Sequence, residues 1–183
     1  MRQRKKGKIR NLTPKQRRLW ELEKFILRML VLVIPVYLIL TFGVDLGPAQ
    51  QEVARESYWL MGPTGFNATL YGTGIIAEFA GKAPLFFTIS ADCTGWKAML
   101  FFAALVLAVP KRSWVVRLAG LAAGFVAIWV VNLFRVAAVV AVYSSSGIAA
   151  AMLVHDWLWQ IGMGLAALLL WALWMRATRN KRK

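Results

Sequence analysis

Long apolar runs separated by short polar segments dominate the pattern of this chain. The runs are found at 25–42, 94–110, 115–142 and 156–175. Each is apolar on all sides, whereas a surface helix of a soluble protein keeps a polar face. A helix of about 17 to 25 apolar residues can span the hydrocarbon core of a bilayer. The pattern therefore predicts an all-α polytopic membrane protein with about four transmembrane helices.

Residues 43–92, between the first two predicted spans, follow a different pattern, with frequent Gly and Pro. The segment 49–61 predicts a short extracytoplasmic helix near the membrane surface. The segments 68–78 and 84–90 are rich in β-branched and aromatic residues, which predicts a small β-hairpin around a turn at 81–82. Because open sheet edges are not tolerated in lipid, this hairpin would lie outside the hydrocarbon.

Charge adds an orientation to the predicted spans. The chain has 23 Lys and Arg against 8 Asp and Glu, a net charge of +15. The basic residues concentrate at 1–24 and 176–183, beside apolar runs, which is typical of cytoplasmic anchors and not of a nucleic-acid-binding surface. The positive-inside rule places these tails and the 110–117 turn in the cytoplasm, with 43–92 and the 144–154 linker outside. We expect a multi-pass protein of the cell membrane with both termini cytoplasmic.

This topology places three chemically notable residues on the outer side of the membrane. Cys93 begins the second span, His155 begins the fourth, and Arg135 lies in the outer half of the third. Cys93 and His155 are the only cysteine and the only histidine of the chain. Packing of the helix bundle would bring the three side chains together at a similar depth.

Cys93 lies in the sequence Asp92-Cys93-Thr94-Gly95, at the predicted start of a helix. The positive end of a helix dipole favours the thiolate, which is the nucleophilic form. Lys97 would add a cation on the same side one turn later, and Gly95 permits close backbone approach to first-turn amides that could hold an oxyanion. Asp92 is either a helix cap or a carboxylate near the nucleophile. The alternative is that Cys93 is simply a small buried residue.

Two polar residues share one face of the third predicted span. Asn132 and Arg135 are three residues apart, and a charge inside a membrane helix normally faces the bundle interior or a wet cavity. The alternative is an arginine that snorkels to the interface, while Asn132 would orient the guanidinium or link helices. His155 suits acid–base chemistry because imidazole titrates near neutral pH. Asp156 is a candidate to tune it, and otherwise His155 is a polar interface residue or a cap.

Other kinds of site fit the sequence less well. One histidine and one cysteine are too few for a typical metal site. The glycines of 62–74 do not form a phosphate loop, and the tryptophans of the fourth span, Trp159 among them, are typical of interface belts and packing. No metal and no cofactor is predicted.

The order, spacing and topology of these residues resemble the archaeosortase/exosortase family. The similarity covers about 85–175. It is carried by three outer motifs, which are Cys93-Thr94-Gly95, Asn132-x-x-Arg135 and His155.

The resemblance implies a membrane-embedded cysteine transpeptidase that cleaves C-terminal sorting signals of surface proteins. Such substrates end in a short motif, a transmembrane helix and a basic tail, and the new carboxyl end passes to a lipid or other surface acceptor. Cys93 would be the nucleophile, His155 the acid–base and Arg135 the third essential residue. The chain would then comprise a basic cytoplasmic tail (1–24), a first transmembrane helix (25–42), an extracytoplasmic segment (43–92), a catalytic three-helix core (93–176) and a second basic tail (177–183).

Three other classes of function stay open on the residues alone. A membrane assembly or scaffold protein would use Asn132 and Arg135 as contacts between helices and would tolerate Cys93→Ala. A transporter or channel subunit would line an anion path with Arg135. An intramembrane cysteine protease would use the same residues but water as the acceptor.

Overall fold

The computed structural model describes residues 13–43, 45–62, 67–79, 81, 83–110 and 112–179, which form a mostly helical protein with one small sheet. In chain order the helices are α1 (Pro14–Phe42), α2 (Gly47–Met61), α3 (Trp96–Ala108), α4 (Trp114–Ser146), α5 (Ile148–Trp157) and α6 (Met163–Arg179). The strands are β1 (Asn67–Tyr71), β2 (Gly74–Glu78) and β3 (Leu85–Thr88). A short 3-10 helix, Ala91–Thr94, precedes α3, and a π turn, Leu158–Gly162, joins α5 to α6.

Helix α4 is the one helix of the described chain that is long and apolar enough to span a membrane. It has 33 residues and a mean hydropathy of 2.3 over its best window. Its N-terminus is capped by Ser113, whose Oγ accepts a hydrogen bond from the N–H of Val116. The third predicted span is therefore matched by a membrane-length helix. The other three predicted spans fall on α1, α3 and α6, and the four-span topology stays a prediction.

Helix α1 joins the polar segment 13–24 to the first predicted span. Thr13 and Gln16 form a reciprocal capping box at its start, in which each side chain accepts from the other residue's backbone N–H, at 3.3 Å and 2.9 Å. The basic stretches 1–12 and 180–183, which complete the predicted tails, lie outside the described residues.

Two glycines in the N-terminal half of α4 let this helix pack closely against its neighbours. A Cβ added at Gly124 would overlap the ring of Phe102 on α3, and one at Gly120 would overlap Trp174 on α6. Glycines four apart on one face allow this close approach between membrane helices.

The C-terminal half of α4 supports α2 and the sheet. Val53 of α2, Ile75 of β2 and Val136 of α4 belong to one buried cluster. Hydrogen bonds add to this packing, since Trp129 Nε1 on α4 donates to Glu56 Oε2 on α2 at 2.5 Å. The segment between α1 and α3 is therefore packed onto the same helix that carries Arg135, and the short helix predicted at 49–61 is confirmed as α2.

The sheet has three antiparallel strands where two were predicted. The segment 68–78, predicted as one strand, turns back on itself between β1 and β2. Gly72, in this two-residue loop, has φ +57°, the backbone region that hairpin loops of this length require. The second hairpin, β2–β3, corresponds to the predicted one, and of its predicted turn only Gly81 lies within the described residues.

The predicted linker 144–154 is wrong, because the chain there is helical on both sides of one residue. Helix α4 continues to Ser146 and α5 begins at Ile148, so only Gly147 interrupts the helix. Gly147 has φ +84°, a conformation that glycine adopts without steric cost. From there α5 continues through the π turn into α6, so this helical segment begins at 148 and not at 156.

Candidate active site

A cavity of about 180 Å³ lies between β3, the C-terminal half of α4 and α5. Cys93, Arg135 and His155 all line it, although they come from three separate elements. Apart from Thr88, the rest of its wall is apolar. The structure thus brings together the three residues that the sequence singled out, while their catalytic roles stay predictions.

Cys93 lies in a separate 3-10 helix before α3, whereas the sequence predicted it at the N-terminus of the second span itself. Gly95 separates the two helices, with φ +76° in the left-handed region. Thr94 is buried, and its Oγ1 donates to Ala91 O at 2.8 Å, which closes the short turn. The thiol is therefore presented by a turn of its own, and α3 begins only at Trp96.

Asn132 ties this turn to α4. Its side chain is fully buried (0% exposed), and Nδ2 donates to Cys93 O at 2.6 Å. A Cβ added at Gly95 would lie in ordinary contact with Asn132 Cγ, at 3.4 Å, so it is the backbone angle that favours glycine there. Of the two roles considered for Asn132, the structure supports a link between elements.

Arg135 is buried, with 5% of its surface exposed. Its Nε and Nη1 have no hydrogen-bond partner among the described residues. This burial excludes the alternative in which the side chain snorkels to the interface. Burying a guanidinium without partners is costly, so unmet donors beside a cavity indicate a place for an anionic or oxyanionic group.

Trp159, in the π turn, is a site residue that the sequence analysis did not identify. Its ring is close to two cations, 5.7 Å from the guanidinium carbon of Arg135 and 5.0 Å from Lys97 Nζ. Lys97 also forms an ion pair with Asp92 at 2.8 Å, so the Asp92 carboxylate is engaged by this cation. A sequence signal existed, because Trp159 follows His155 at the four-residue spacing of one helix face, but several tryptophans in this segment obscured it.

Neighbouring polar groups contact both the thiol and the imidazole. His155 is partly exposed, and its Nδ1 lies 3.3 Å from Asp156 Oδ1. A carboxylate at Nδ1 favours the tautomer that carries its proton there and leaves Nε2 as the acceptor. Ser90, another residue that sequence reasoning did not identify, places its Oγ 3.4 Å from Cys93 Sγ.

This arrangement is suited to nucleophilic chemistry at a carbonyl group. A thiol, an imidazole held by a carboxylate and a guanidinium with free donors can act as nucleophile, acid–base and oxyanion binder. The fold and the cavity together define a mostly helical protein with one membrane-length helix and a cavity lined by a cysteine, a histidine and an arginine.

Comparison with protein families identifies the chain more closely. The family model described as transmembrane exosortase (EpsH) matches residues 14–175, which is most of the chain. The chain therefore belongs to the exosortase family, as the motif resemblance indicated, and this membership agrees with a location in the membrane. Neither curated proteins nor solved structures give a significant match.

Proposed function

We propose that the protein is a membrane cysteine transpeptidase that cleaves C-terminal sorting signals of surface proteins and transfers the new carboxyl end to a lipid or other surface acceptor. The observation that carries the proposal is the shared cavity, which Cys93, His155 and Arg135 line in apolar surroundings. Two donors of the Arg135 guanidinium, Nε and Nη1, have no partner among the described residues. Membership of the exosortase family supports the same class of protein.

The first step forms a thioester on Cys93. His155 takes the thiol proton, and Sγ attacks the carbonyl carbon of the scissile peptide bond. The carbonyl electron pair moves to oxygen, where the free N–H groups of Arg135 stabilise the oxyanion. The C–N bond then breaks as the imidazolium of His155 protonates the leaving amine. The released product is the C-terminal helix with a new amino end.

The second step transfers the acyl group. An amine or hydroxyl acceptor loses its proton to His155 and attacks the thioester carbonyl. The C–S bond breaks, and the sulfur regains its proton from His155. The apolar cavity wall limits access of water, which favours transfer over hydrolysis.

The proposed topology places this chemistry on the extracytoplasmic side of the cell membrane, with both termini in the cytoplasm. Large apolar side chains cover the outside of α1, α4 and α6, for example Leu30, Val126 and Leu169. Such surfaces suit lipid and the transmembrane helix of a substrate, which would supply binding energy remote from the reaction.

The proposal is tested by co-expression with a surface protein from the same genome that ends in an apolar helix and a basic tail. Processing should be lost in Cys93→Ala and His155→Ala and strongly reduced in Arg135→Lys, since lysine keeps the charge but not the planar set of donors. Ser145→Ala, at an exposed position, is the matched control and should process normally.

The mass of the product decides between the alternatives. A product carrying an added acceptor supports transfer, whereas a free carboxyl end indicates a protease that only hydrolyses. Normal processing by Cys93→Ala would overturn the proposal and favour a scaffold role.

A further inference from the structure

Strand β3 has an open edge beside the candidate active site. The sheet order is β1-β2-β3, so β3 pairs with β2 on one side and with no other described strand on its second side. Residues 87–89 line the same cavity as Cys93. Unpaired strand edges are a template for another extended chain, and proteins usually cover or blunt them.

The register shows which backbone groups the open edge presents. The N–H of Ile89 donates to Thr73 O at 2.8 Å, in line with the β2–β3 ladder. Hydrogen-bonded pairs alternate with non-bonded pairs along an antiparallel ladder, so Phe87 directs its N–H and C=O toward β2. Phe86 and Thr88 therefore direct theirs away from β2, at the edge that no described strand pairs.

We propose that the substrate binds as an added fourth strand on β3, with an extended segment next to the scissile bond paired to the backbone of Phe86 and Thr88. This inference rests on the proposed function and deepens it by assigning how the peptide is held. Strand addition uses main-chain hydrogen bonds for affinity and alternate side chains for specificity. Because the chain passes directly from β3 to the turn of Cys93, a peptide paired there lies alongside the nucleophile.

The cavity defines the side chains that such a strand would carry. Successive residues of a strand point to opposite faces, so every second side chain of the bound segment would face the cavity. Its wall includes Val136, Val139 and Met152. The expected ligand is therefore an extended segment with apolar residues at alternate positions.

The opposite edge of the sheet supplies a matched control. Ala77 pairs with Leu85 on β3 and with Ala68 on β1. By the same alternation, Ala77 uses its backbone groups toward β3, so Ala68 directs its N–H away from the sheet. Ala68→Pro thus removes an outward N–H donor from β1, whose edge does not line the cavity. Thr88→Pro removes an outward N–H donor from β3, whose edge lines the cavity.

The test compares two alkylating probes on the full-length protein in detergent. Iodoacetamide reports the thiol alone, and acetyl-Val-Ala-Val-Ala chloromethyl ketone reports the thiol together with bound peptide. Thr88→Pro should slow labelling of Cys93 by the peptide probe about fivefold, the equivalent of one net hydrogen bond, and leave the iodoacetamide rate unchanged. Ala68→Pro should match the wild type with both probes. N-methylation of the peptide probe should slow labelling of wild-type Cys93 only when the methyl group is placed on alternate residues of the probe.

Each failure has a distinct signature. A Cys93 that iodoacetamide cannot label overturns the proposed function, whereas normal iodoacetamide labelling with an unchanged peptide rate in Thr88→Pro overturns only strand addition. A change of oligomeric state in Thr88→Pro, with no change in the rate of labelling by the peptide probe, also overturns strand addition by the substrate. That result would assign the open edge of β3 to a second copy of the chain. If Thr88→Pro misfolds, the N-methylated probes decide on the wild type, and a rate that does not depend on the methylated position overturns the inference.

Discussion

Replacing Asn132 by leucine should leave the protein about as stable as the wild type while slowing the chemistry at Cys93. The asparagine side chain is fully buried and donates to the carbonyl of Cys93 at 2.6 Å. Its own Oδ1 has no partner in the part of the chain that the structure describes. Leucine has a similar volume, so the substitution removes polar groups without opening a large cavity.

Two effects of this substitution oppose each other in the free energy of unfolding. The carbonyl of Cys93 loses its donor, which costs about 1–3 kcal/mol for a buried group. The unpartnered Oδ1 of Asn132 is removed at the same time, which relieves a cost of similar size. The net change should therefore stay below about 1 kcal/mol, or below about 4 °C in Tm for a chain of this length. Asn132→Ala also opens a cavity and should cost about 1–2 kcal/mol more.

The assay measures Tm in detergent by tryptophan fluorescence and processing of the co-expressed substrate. Asn132→Leu should keep its Tm and process about ten- to a hundredfold more slowly, because a nucleophile displaced by about 1 Å loses its productive geometry. Normal processing together with a large fall in Tm would refute this reasoning, since Asn132 would then serve packing and not the position of Cys93.

Substitutions at Gly95, Gly124 and Trp159, with controls at Gly164 and Trp159, test the packing around the site and within the bundle. Gly95→Ala places a side chain at φ +76°, which should cost about 1–2 kcal/mol and slow processing, and an unchanged Tm would contradict the left-handed backbone. Gly124→Ala should lower Tm because its Cβ would overlap the ring of Phe102 on α3. Gly164→Ala has open space around it and should not lower Tm. Equal Tm values for the two variants would contradict the close packing at Gly124. A peptide aldehyde should protect the thiol of Trp159→Leu from alkylation about tenfold less well than that of the wild type, because the oxyanion of the aldehyde adduct depends on the position of Arg135. Trp159→Phe should keep most of the protection. Equal protection in Trp159→Leu and the wild type would show that the ring does not act on the site.

The three cavity residues could be found from the sequence because each is chemically conspicuous in its surroundings. An ionisable side chain within an apolar helix is costly to bury, so Arg135 stands out in the third span. Cys93 and His155 stand out as the only members of their kinds. Their order along alternating helices was sufficient to place them on one side of the bundle.

The details around these residues could not be read in the same way. The apolar run after Cys93 predicts a helix, but a four-residue 3-10 turn has no periodicity that separates it from that helix. The contact of Trp159 with Arg135 depends on packing between α4 and the π turn, which is distant in sequence. The predicted linker at 144–154 is wrong because serine and glycine are typical of loops, whereas in the structure a single glycine, Gly147, is sufficient for the change of direction between α4 and α5.

The π turn acts as a phase shift along one continuous helix. Successive residues of an α-helix are rotated by about 100°, so positions 151 and 163 of an unbroken helix would point about 120° apart. The wide turn accommodates one additional residue, which removes one such step and brings the two positions to within about 20° of each other. Ala151 and Met163 are indeed both buried, at 2% and 5% exposure. The half of this helix that carries His155 can therefore face the cavity while the half that follows the π turn keeps its packing stripe in register with α3 and α4. An even α-helix through the same residues would instead rotate the half that carries His155 by about 100° relative to the half that packs against α3 and α4.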